Sequence, residues 1–263
     1  MKHKPRSFAL ADVNQTLTQR CNVELPTTDI PATTSPSTIG TDCFTDCLDY
    51  RARGSDTTSG VITTLSQDGV CSQETNCDME TDGGGWTVFQ RHQSDAVSFA
   101  RGWADYKNGF GDLNGDFWWG NEKLAQTLND GRQYELRIDL LDWEGEHRYA
   151  KYSHFYVAPE SDNYRLNISG YTGNAGKDAF GRYANGKNFT TADRDNDRWS
   201  MDNCASFWGG GGLWYGDGCG AFFPNGRYSR TSSVAPWIGL HWGEWHGGSY
   251  SLKAVSMAFR ATN

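Results

Sequence analysis

Hydrophobic side chains alternate with polar ones in several segments, which is the pattern of a strand that buries one face. Leu136, Ile138 and Leu140 occupy every second position and predict a strand over residues 134–140. Residues 86–90 follow a run of three glycines and predict another strand. Further strands are expected at residues 149–157, 164–168 and 250–260.

Helical spacing is rarer than strand spacing. Leu124 and Leu128 stand four positions apart and predict a helix over residues 121–129. Residues 9–20 carry an apolar stripe of two helical turns, which is marginal for an isolated helix. That segment is either the end of a coiled-coil stem or a frayed tail.

A long stretch, residues 170–248, has little periodicity and many Gly, Asp and Asn residues. Irregular segments of this length are uncommon in compact domains and are usually functional. A metal ion or a disulfide often holds them in place. The predicted fold class is therefore α+β, with an antiparallel sheet, a few short helices and a loop-built lobe.

Composition separates the start of the chain from the rest. Residues 26–42 are mostly Thr, Ser and Pro, a composition that builds an extended linker and no core. We expect a tail over residues 1–42 and a folded domain over residues 43–262. The 11 Trp, 12 Tyr and 13 Phe of the chain exclude disorder for most of its length.

The charge balance restricts the partners. With 24 Lys and Arg against 32 Asp and Glu, the formal net charge is −8, whereas nucleic-acid phosphates require a basic surface. No segment approaches the roughly 18 apolar residues of a membrane span. We expect neither a nucleic-acid partner nor a membrane-spanning helix.

Seven cysteines and three N-glycosylation sequons favour an oxidising, secretory setting. The sequon asparagines are Asn14, Asn167 and Asn188. Residues 1–20 lack the apolar core of a signal peptide, so we interpret the start as that of a fragment or an incomplete gene product. The expected location is extracellular.

Three alternating carboxylates, Asp193, Asp195 and Asp197, precede a cysteine in the irregular stretch. A curled loop can direct such carboxylates at Ca²⁺, which takes six to eight oxygen ligands. The loop is not an EF-hand, because the glycine and the final glutamate of that motif are missing. A solvated acidic turn is the alternative.

Cys204 and Cys219 close a short loop that contains four consecutive glycines and the aromatic residues Trp214 and Tyr215. We expect the two cysteines to pair. The loop is either a recognition surface or a small cross-linked core, and both interpretations stay open.

The other cysteines do not match zinc-module spacings. Cys21 is left without a partner and is expected to form an intermolecular disulfide, with a buried thiol as the alternative.

Enzyme motifs are absent from the sequence. His241 and His246 are five residues apart, whereas a helical zinc pair needs a spacing of four. No Gly-x-Ser-x-Gly segment occurs, and the paired carboxylates have no feature that marks them as catalytic. We therefore expect no enzyme.

Several motifs resemble the fibrinogen C-terminal-like domain family. They are CDMETDGGGWTVFQR at residues 77–91, RGWADYKNGFG at residues 101–111 and FWWGNE at residues 117–122. The resemblance extends over about residues 41–262. The family includes ficolins, tachylectins, angiopoietins, tenascin ends and fibrinogen chains.

The resemblance implies three lobes: a small N-terminal lobe at about residues 43–88, a central sheet lobe at about 89–169, and a calcium and ligand lobe at about 170–249. The final strand, residues 250–260, follows them. It also implies the disulfides Cys43–Cys71, Cys47–Cys77 and Cys204–Cys219. The implied calcium ligands are the side chains of Asp195 and Asp197 and the backbone carbonyls of Trp199 and Met201.

Lectins of this family bind acetylated sugars beside the C-terminal disulfide, where a cis peptide enters the second cysteine. The resemblance places that peptide at Gly218–Cys219. The lectins' His and two pocket Tyr residues are replaced here by Gly220, Pro236 and Gly248, and Trp237 replaces a small alanine. The corresponding ligand-binding positions are Trp208, Tyr215, Gly218, Cys219, Gly220, Pro236, Trp237 and Gly248.

The favoured hypothesis is a secreted, calcium-dependent, lectin-like protein of innate defence that binds glycans on microbial or cell surfaces through a diverged acetyl pocket. The alternative is a protein-interaction module of angiopoietin or extracellular-matrix type that binds an extracellular protein receptor. A homo-oligomer is expected in both cases. The rings that are candidates for the binding surface are Trp208, Trp214, Phe222, Phe223, Trp237 and Trp242.

Overall fold

An antiparallel sheet organises the computed structural model, which describes residues 43–55, 57–66 and 68–262. The expectations for residues 9–20 and 26–42, and those for Asn14 and Cys21, lie outside these residues. The strands are β1 (Gly60–Leu65), β2 (Cys71–Asp78), β3 (Trp86–His92), β4 (Phe110–Gly111), β5 (Phe117–Trp118), β6 (Tyr134–Leu141), β7 (His147–Val157), β8 (Leu166–Gly173), β9 (Phe222–Phe223), β10 (His241–Trp242) and β11 (Ala254–Ala261).

The strand order is β1-β2-β3-β11-β6-β7-β8, so the last strand lies in the middle of the sheet. Met257 of β11 pairs with Gln90 on one side and with Ile138 on the other. The short β4–β5 pair attaches to β3, while β9 and β10 form a separate two-stranded ribbon in the loop lobe.

The described residues contain six short helices. Asp46 begins the first one, because its carboxylate accepts a hydrogen bond from Asp49 N at 2.8 Å and so caps a free helical N–H. Leu124 and Leu128 of the third helix are buried against the core, as their spacing predicts. The helices are α1 (Cys47–Arg53), α2 (Trp103–Asn108), α3 (Asn121–Leu128), α4 (Gly181–Ala184), α5 (Cys204–Phe207) and α6 (Gly243–His246).

The predicted α+β class is confirmed, and two predicted strands begin later than expected. The strand predicted from residue 164 begins at Leu166, because Asn163 and Tyr164 both take a left-handed turn with φ of 50°. The strand predicted from residue 250 begins at Ala254. Ser251 N and Leu252 N donate to carbonyls of the loop lobe rather than to the sheet.

Aromatic rings join the loop lobe to the sheet. The Phe189 ring lies 5.7 Å from the Trp118 ring, which comes from the sheet, and 5.0 Å from the Trp214 ring of the lobe. Tyr106 contacts both Phe189 and Trp118. All four side chains are buried. The irregular lobe therefore has a core of its own that is continuous with that of the sheet.

Three disulfides are present among the described residues: Cys43–Cys71, Cys47–Cys77 and Cys204–Cys219. They are the three pairs that the family resemblance implies. Two of them tie α1 and the segment before it to β2. The third lies within the loop lobe.

Arg260 of β11 connects three parts of the sheet lobe. Its guanidinium lies 4.1 Å from the centre of the Trp86 ring and donates two hydrogen bonds to Glu135 of β6. It also donates to the carbonyls of Asp82 and Gly84 in the preceding turn. The Arg260 and Glu135 side chains are only 16% and 14% exposed.

Replacing Arg260 with Met should lower the free energy of unfolding by about 2–4 kcal/mol, because Glu135 and two carbonyls lose a partly buried donor. Urea denaturation measures this loss. The matched control is Arg165→Met, which breaks an exposed pair with Asp162. The control should leave the midpoint unchanged. Equal midpoints for the two variants would contradict the stabilising role of Arg260.

Candidate recognition site

The Cys204–Cys219 disulfide lies at the base of the loop lobe, where α5 begins. Asn203 caps this helix, since its Oδ1 accepts from Ser206 N at 3.0 Å. Its Nδ2 donates to the Thr191 carbonyl at 2.9 Å. The first cysteine is therefore fixed both by a helix cap and by a neighbouring loop.

The segment inside the disulfide loop is a small core rather than a surface. Residues 211–216 are buried. Trp214 Nε1 donates to the Tyr164 carbonyl at 2.6 Å. A β-carbon at Gly212 would lie 2.7 Å from the Tyr106 ring, so only glycine allows this approach. Of the two interpretations of the loop, the structure favours the cross-linked core.

Four of the six rings expected at the binding surface are buried. Trp214, Phe222, Phe223 and Trp242 are at most 4% exposed, because each packs into the ring core of the lobe. Trp208 and Trp237 are half-buried. The expectation of a broad aromatic surface is therefore wrong for these four residues.

The expected cis peptide at Gly218–Cys219 is also wrong, since no cis peptide bond occurs among the described residues. Gly218 and Cys219 instead both adopt positive φ, at 70° and 72°. Glycine reaches this region freely, but cysteine does so at some cost in energy. Two successive left-handed residues turn the chain where the cis bond was expected.

The indole of Trp237 occupies the space beside two glycines of α6 and the turn that follows it. A β-carbon at Gly248 would lie 2.5 Å from Cε2 of Trp237, and one at Gly243 would lie 3.1 Å from its ring. Tyrosine at position 248 is therefore incompatible with this position of Trp237. The Trp237 indole therefore fills the space of the expected acetyl pocket.

The expected pocket residues separate into groups. Trp208, Tyr215 and Trp237 surround Phe223, with ring centres 5.9–6.2 Å from it. Tyr215 is buried, and its hydroxyl donates to the Gly211 carbonyl at 2.5 Å. These three residues are core neighbours rather than the walls of an open cavity.

The other pocket positions do not join that cluster. Gly218 is exposed, and a β-carbon there would have no neighbour within 4 Å, while one at Gly220 would lie 3.3 Å from Tyr183. Pro236 is exposed. His241, which the zinc comparison singled out, is fully buried 5.8 Å from the Trp237 ring, and burial lowers its pKa. The ring of His246, the other histidine of that comparison, contacts Asp142 at 3.2 Å.

The acidic loop before Cys204 contains two kinds of carboxylate. Asp193 has a structural role, because its Oδ1 accepts from Trp103 N at 2.8 Å, at the start of α2, and from Thr191 Oγ1 at 2.6 Å. Asp197 accepts from Trp199 N and from Cys204 N, both at 2.8 Å. The second bond connects the acidic loop directly to the disulfide.

Asp197 has no ion-pair partner in the part of the chain that the structure describes. Burial, with repulsion from Asp195 and Asp202, raises the pKa of its carboxyl above the ordinary value. Among the described residues, no lysine, arginine or histidine forms an ion pair with Asp195, Asp197 or Asp202. No group of three or more His, Cys, Asp or Glu side chains there could hold a metal. The calcium site that the resemblance implies uses only two carboxylates, Asp195 and Asp197, with two backbone carbonyls, and it stays a prediction.

An exposed apolar feature lies beside this loop. Phe207 is 50% exposed and Met201 is 81% exposed. The Phe207 ring packs edge-on against Trp199 at 5.0 Å and against Trp208 at 4.6 Å. We call Trp199, Phe207 and Trp208 the aromatic ridge. Sequence analysis missed Phe207, since a single phenylalanine in an irregular segment carries no pattern that indicates exposure.

Comparison with known proteins identifies the family of this chain. The family described as "Fibrinogen beta and gamma chains, C-terminal globular domain" matches residues 43–262. The chain belongs to this family. No helix in the described part of this fibrinogen-type chain is long and apolar enough to cross a membrane.

The relatives are of angiopoietin type. Human angiopoietin-related protein 7 is 46% identical over 188 residues, which are 71% of this chain and 53% of that protein. Pig angiopoietin-2 is 41% identical over 218 residues, which are 82% of this chain and 43% of that protein. The chain thus spans about half the length of these curated relatives.

A solved structure agrees with these relatives. The fibrinogen-like globe domain of human ANGPTL2 superposes with a TM-score of 0.77 at 38% identity, covering 84% of this chain and 100% of that domain. The favoured hypothesis of a lectin-like glycan binder of innate defence is therefore corrected. The similar proteins are angiopoietin-type, which was the alternative, and the filled pocket gives the physical reason.

The packing of Trp237 on Gly248 is testable by stability. Gly248→Ala should cost about 1–3 kcal/mol, because the new methyl group overlaps the indole. In a Trp237→Ala background the same substitution should cost much less, and chemical denaturation of the four proteins measures this coupling. Gly115→Ala is the control, since its β-carbon would have only ordinary contacts. An equal cost of Gly248→Ala in both backgrounds would contradict the packing.

Proposed function

We propose that this chain is a secreted, non-enzymatic, calcium-stabilised interaction domain whose partner is an extracellular protein. The observation that carries the proposal is the exposed Phe207 of the aromatic ridge, beside the expected acetyl pocket that Trp237 fills. The angiopoietin-type relatives and the three disulfides support the same class and the same location.

The ridge has the composition of an interface centre. Phe207 of the ridge is one of only three large hydrophobic side chains that are strongly exposed among the described residues. Aromatic residues and methionine are enriched at the centres of protein interfaces, where a few residues carry most of the binding energy. The exposed Arg198 and Asp202 provide a polar rim.

Calcium is the proposed structural ion. The side chains of Asp195 and Asp197, with the carbonyls of Trp199 and Met201, would hold it. When bound, the ion supplies positive charge to carboxylates that have no other cation partner. Asp197 also binds the backbone of Cys204, so a fixed Asp197 in turn fixes the start of α5, which carries Phe207. The ion thus contributes to the partner surface without belonging to it.

Assembly through Cys21 remains a proposal, since that residue lies outside the described part of the chain. A linked pair of domains would gain apparent affinity without any new contact. The three disulfides of the described domain use all of its cysteines. No cysteine of the described domain is therefore left to pair with Cys21 within the same chain.

Calcium should raise the melting temperature, because an ion that binds only the folded state stabilises it. At about 100 times its Kd the expected gain is roughly 5–10 °C for a domain of this size. Differential scanning calorimetry in calcium and in EDTA measures this gain. Asp195→Asn and Asp197→Asn should abolish it, whereas Asp217→Asn, at an exposed pair with Lys187, should retain it. A chain with no difference between calcium and EDTA would remove the calcium proposal.

The ridge should be needed for binding. We would screen the fluorescent, tetramerised chain against an array of single-span receptor ectodomains and then test variants on each positive ectodomain. Phe207→Ser should weaken binding about 10–30-fold, because interface centres are sensitive to truncation. Val70→Ser removes another strongly exposed hydrophobic residue, which lies in the N-terminal lobe, and should have no effect. Binding that is lost equally in both variants, or in neither, would contradict the ridge as the interface.

A further inference from the structure

The sequon at residues 167–169 lies on the outer face of the last strand of the sheet. Asn167 and Ser169 of β8 are exposed, while the alternating residues Leu166 and Ile168 are buried. Asn167 pairs directly with Tyr156 of β7. Directly opposed residues in an antiparallel pair share a face, with β-carbons about 5 Å apart. The Tyr156 ring is therefore the immediate neighbour of the Asn167 amide.

A hydrogen bond to the end of α3 holds the Tyr156 side chain in place. Its hydroxyl donates to Asn129 Oδ1 at 2.7 Å, at the end of α3. The amide nitrogen of Asn129 in turn donates to the Val157 carbonyl at 3.1 Å. The half-buried ring thus keeps one fixed orientation and one accessible side next to Asn167.

The same strand forms an edge of the sheet. Residues 185–187 cover its first part, because Leu166 N donates to the Lys187 carbonyl and Ile168 N donates to Asn185 Oδ1. For residues 169–173, no backbone hydrogen bond to anything beyond β7 is found in the described part of the chain. Such an open edge can pair with a second copy of the chain unless something covers it.

We propose that Asn167 carries an N-linked glycan whose first sugar packs on Tyr156 and whose bulk covers the open edge of β8. In this reaction Asn167 Nδ2 forms a bond to C1 of the first N-acetylglucosamine of a lipid-pyrophosphate-linked oligosaccharide. The C1–O bond to the lipid pyrophosphate breaks, that pyrophosphate leaves with the bonding electrons, and the amide loses one proton. The apolar face of the sugar then stacks on the ring as other flat groups do.

The sequon at Asn188 has a different environment. Asn188 is half-buried, and Thr190, its hydroxyl residue, is fully buried and accepts a hydrogen bond from Asn196 N at 3.2 Å. Phe189 between them belongs to the ring core. A glycan on Asn188 would have to coexist with this packing, whereas Asn167 is exposed on the strand surface beside Tyr156. Occupancy should therefore be higher at Asn167.

Site occupancy is the first test. The full chain, directed through the secretory pathway of cultured animal cells by an added signal peptide, would be analysed by glycopeptide mass spectrometry. We expect a glycan on Asn167 at higher occupancy than on Asn188, and its loss in Ser169→Ala. An unmodified Asn167, or a higher occupancy at Asn188, would overturn the proposal. Because the added signal imposes secretion, this failure is distinct from a failure of the proposed extracellular function.

The role of Tyr156 is the second test. The glycosylated chain should melt about 2–4 °C above its Asn167→Gln variant. Tyr156→Phe keeps the ring, loses only the hydrogen bond to Asn129, and should retain this difference. Tyr156→Ala should abolish the difference. A difference of the same size in the Tyr156→Ala background would rule out stacking on the ring.

Coverage of the edge is tested by light scattering over a range of concentrations. The Asn167→Gln variant should self-associate at concentrations where the glycosylated chain does not. Thr172→Pro removes an edge N–H in the open part of the strand, and in the Asn167→Gln background it should prevent this association. Identical masses for the glycosylated chain and the Asn167→Gln variant would show that the glycan does not cover the edge.

Discussion

The packing of aromatic rings between the sheet and the loop lobe is the constraint on which the rest of the domain depends. Phe189 contacts rings from both sides, and Trp214 is bound through its indole N–H to the chain beside β8. Residues 174–253 contain only short helices and a two-residue ribbon, so backbone ladders cannot hold the lobe. Side-chain packing positions it instead, and the Cys204–Cys219 disulfide joins two parts of the lobe itself.

The same ring packing explains why the candidate site differs from an acetyl pocket. The Trp237 indole occupies the space beside Gly248, and a side chain at position 248 would overlap it. That space is therefore core rather than cavity. The exposed apolar surface lies instead at Phe207. The acidic loop lies next to that surface and is connected to it through the backbone of Cys204.

Sequence analysis could predict the parts of the structure that repeat a local pattern. The alternation at Leu136, Ile138 and Leu140 fixes β6, and the family motifs imply the three disulfides. Exposure of single rings was not predictable, because Trp214 and Phe207 both lie in glycine-rich, aperiodic sequence and yet have opposite environments. Trp237 and Gly248 are eleven positions apart in the sequence, and only the fold brings them into contact.

We propose that Trp237 fills the expected acetyl pocket and that a protein partner binds the adjacent aromatic ridge. The most direct measurement is a crystal structure of the chain grown with calcium and a high concentration of N-acetylglucosamine. We expect Trp237 to pack on Gly248, no sugar beside the Cys204–Cys219 disulfide, and an exposed Phe207. A sugar bound beside the disulfide with the indole displaced would show that the pocket is open and would rule this proposal out.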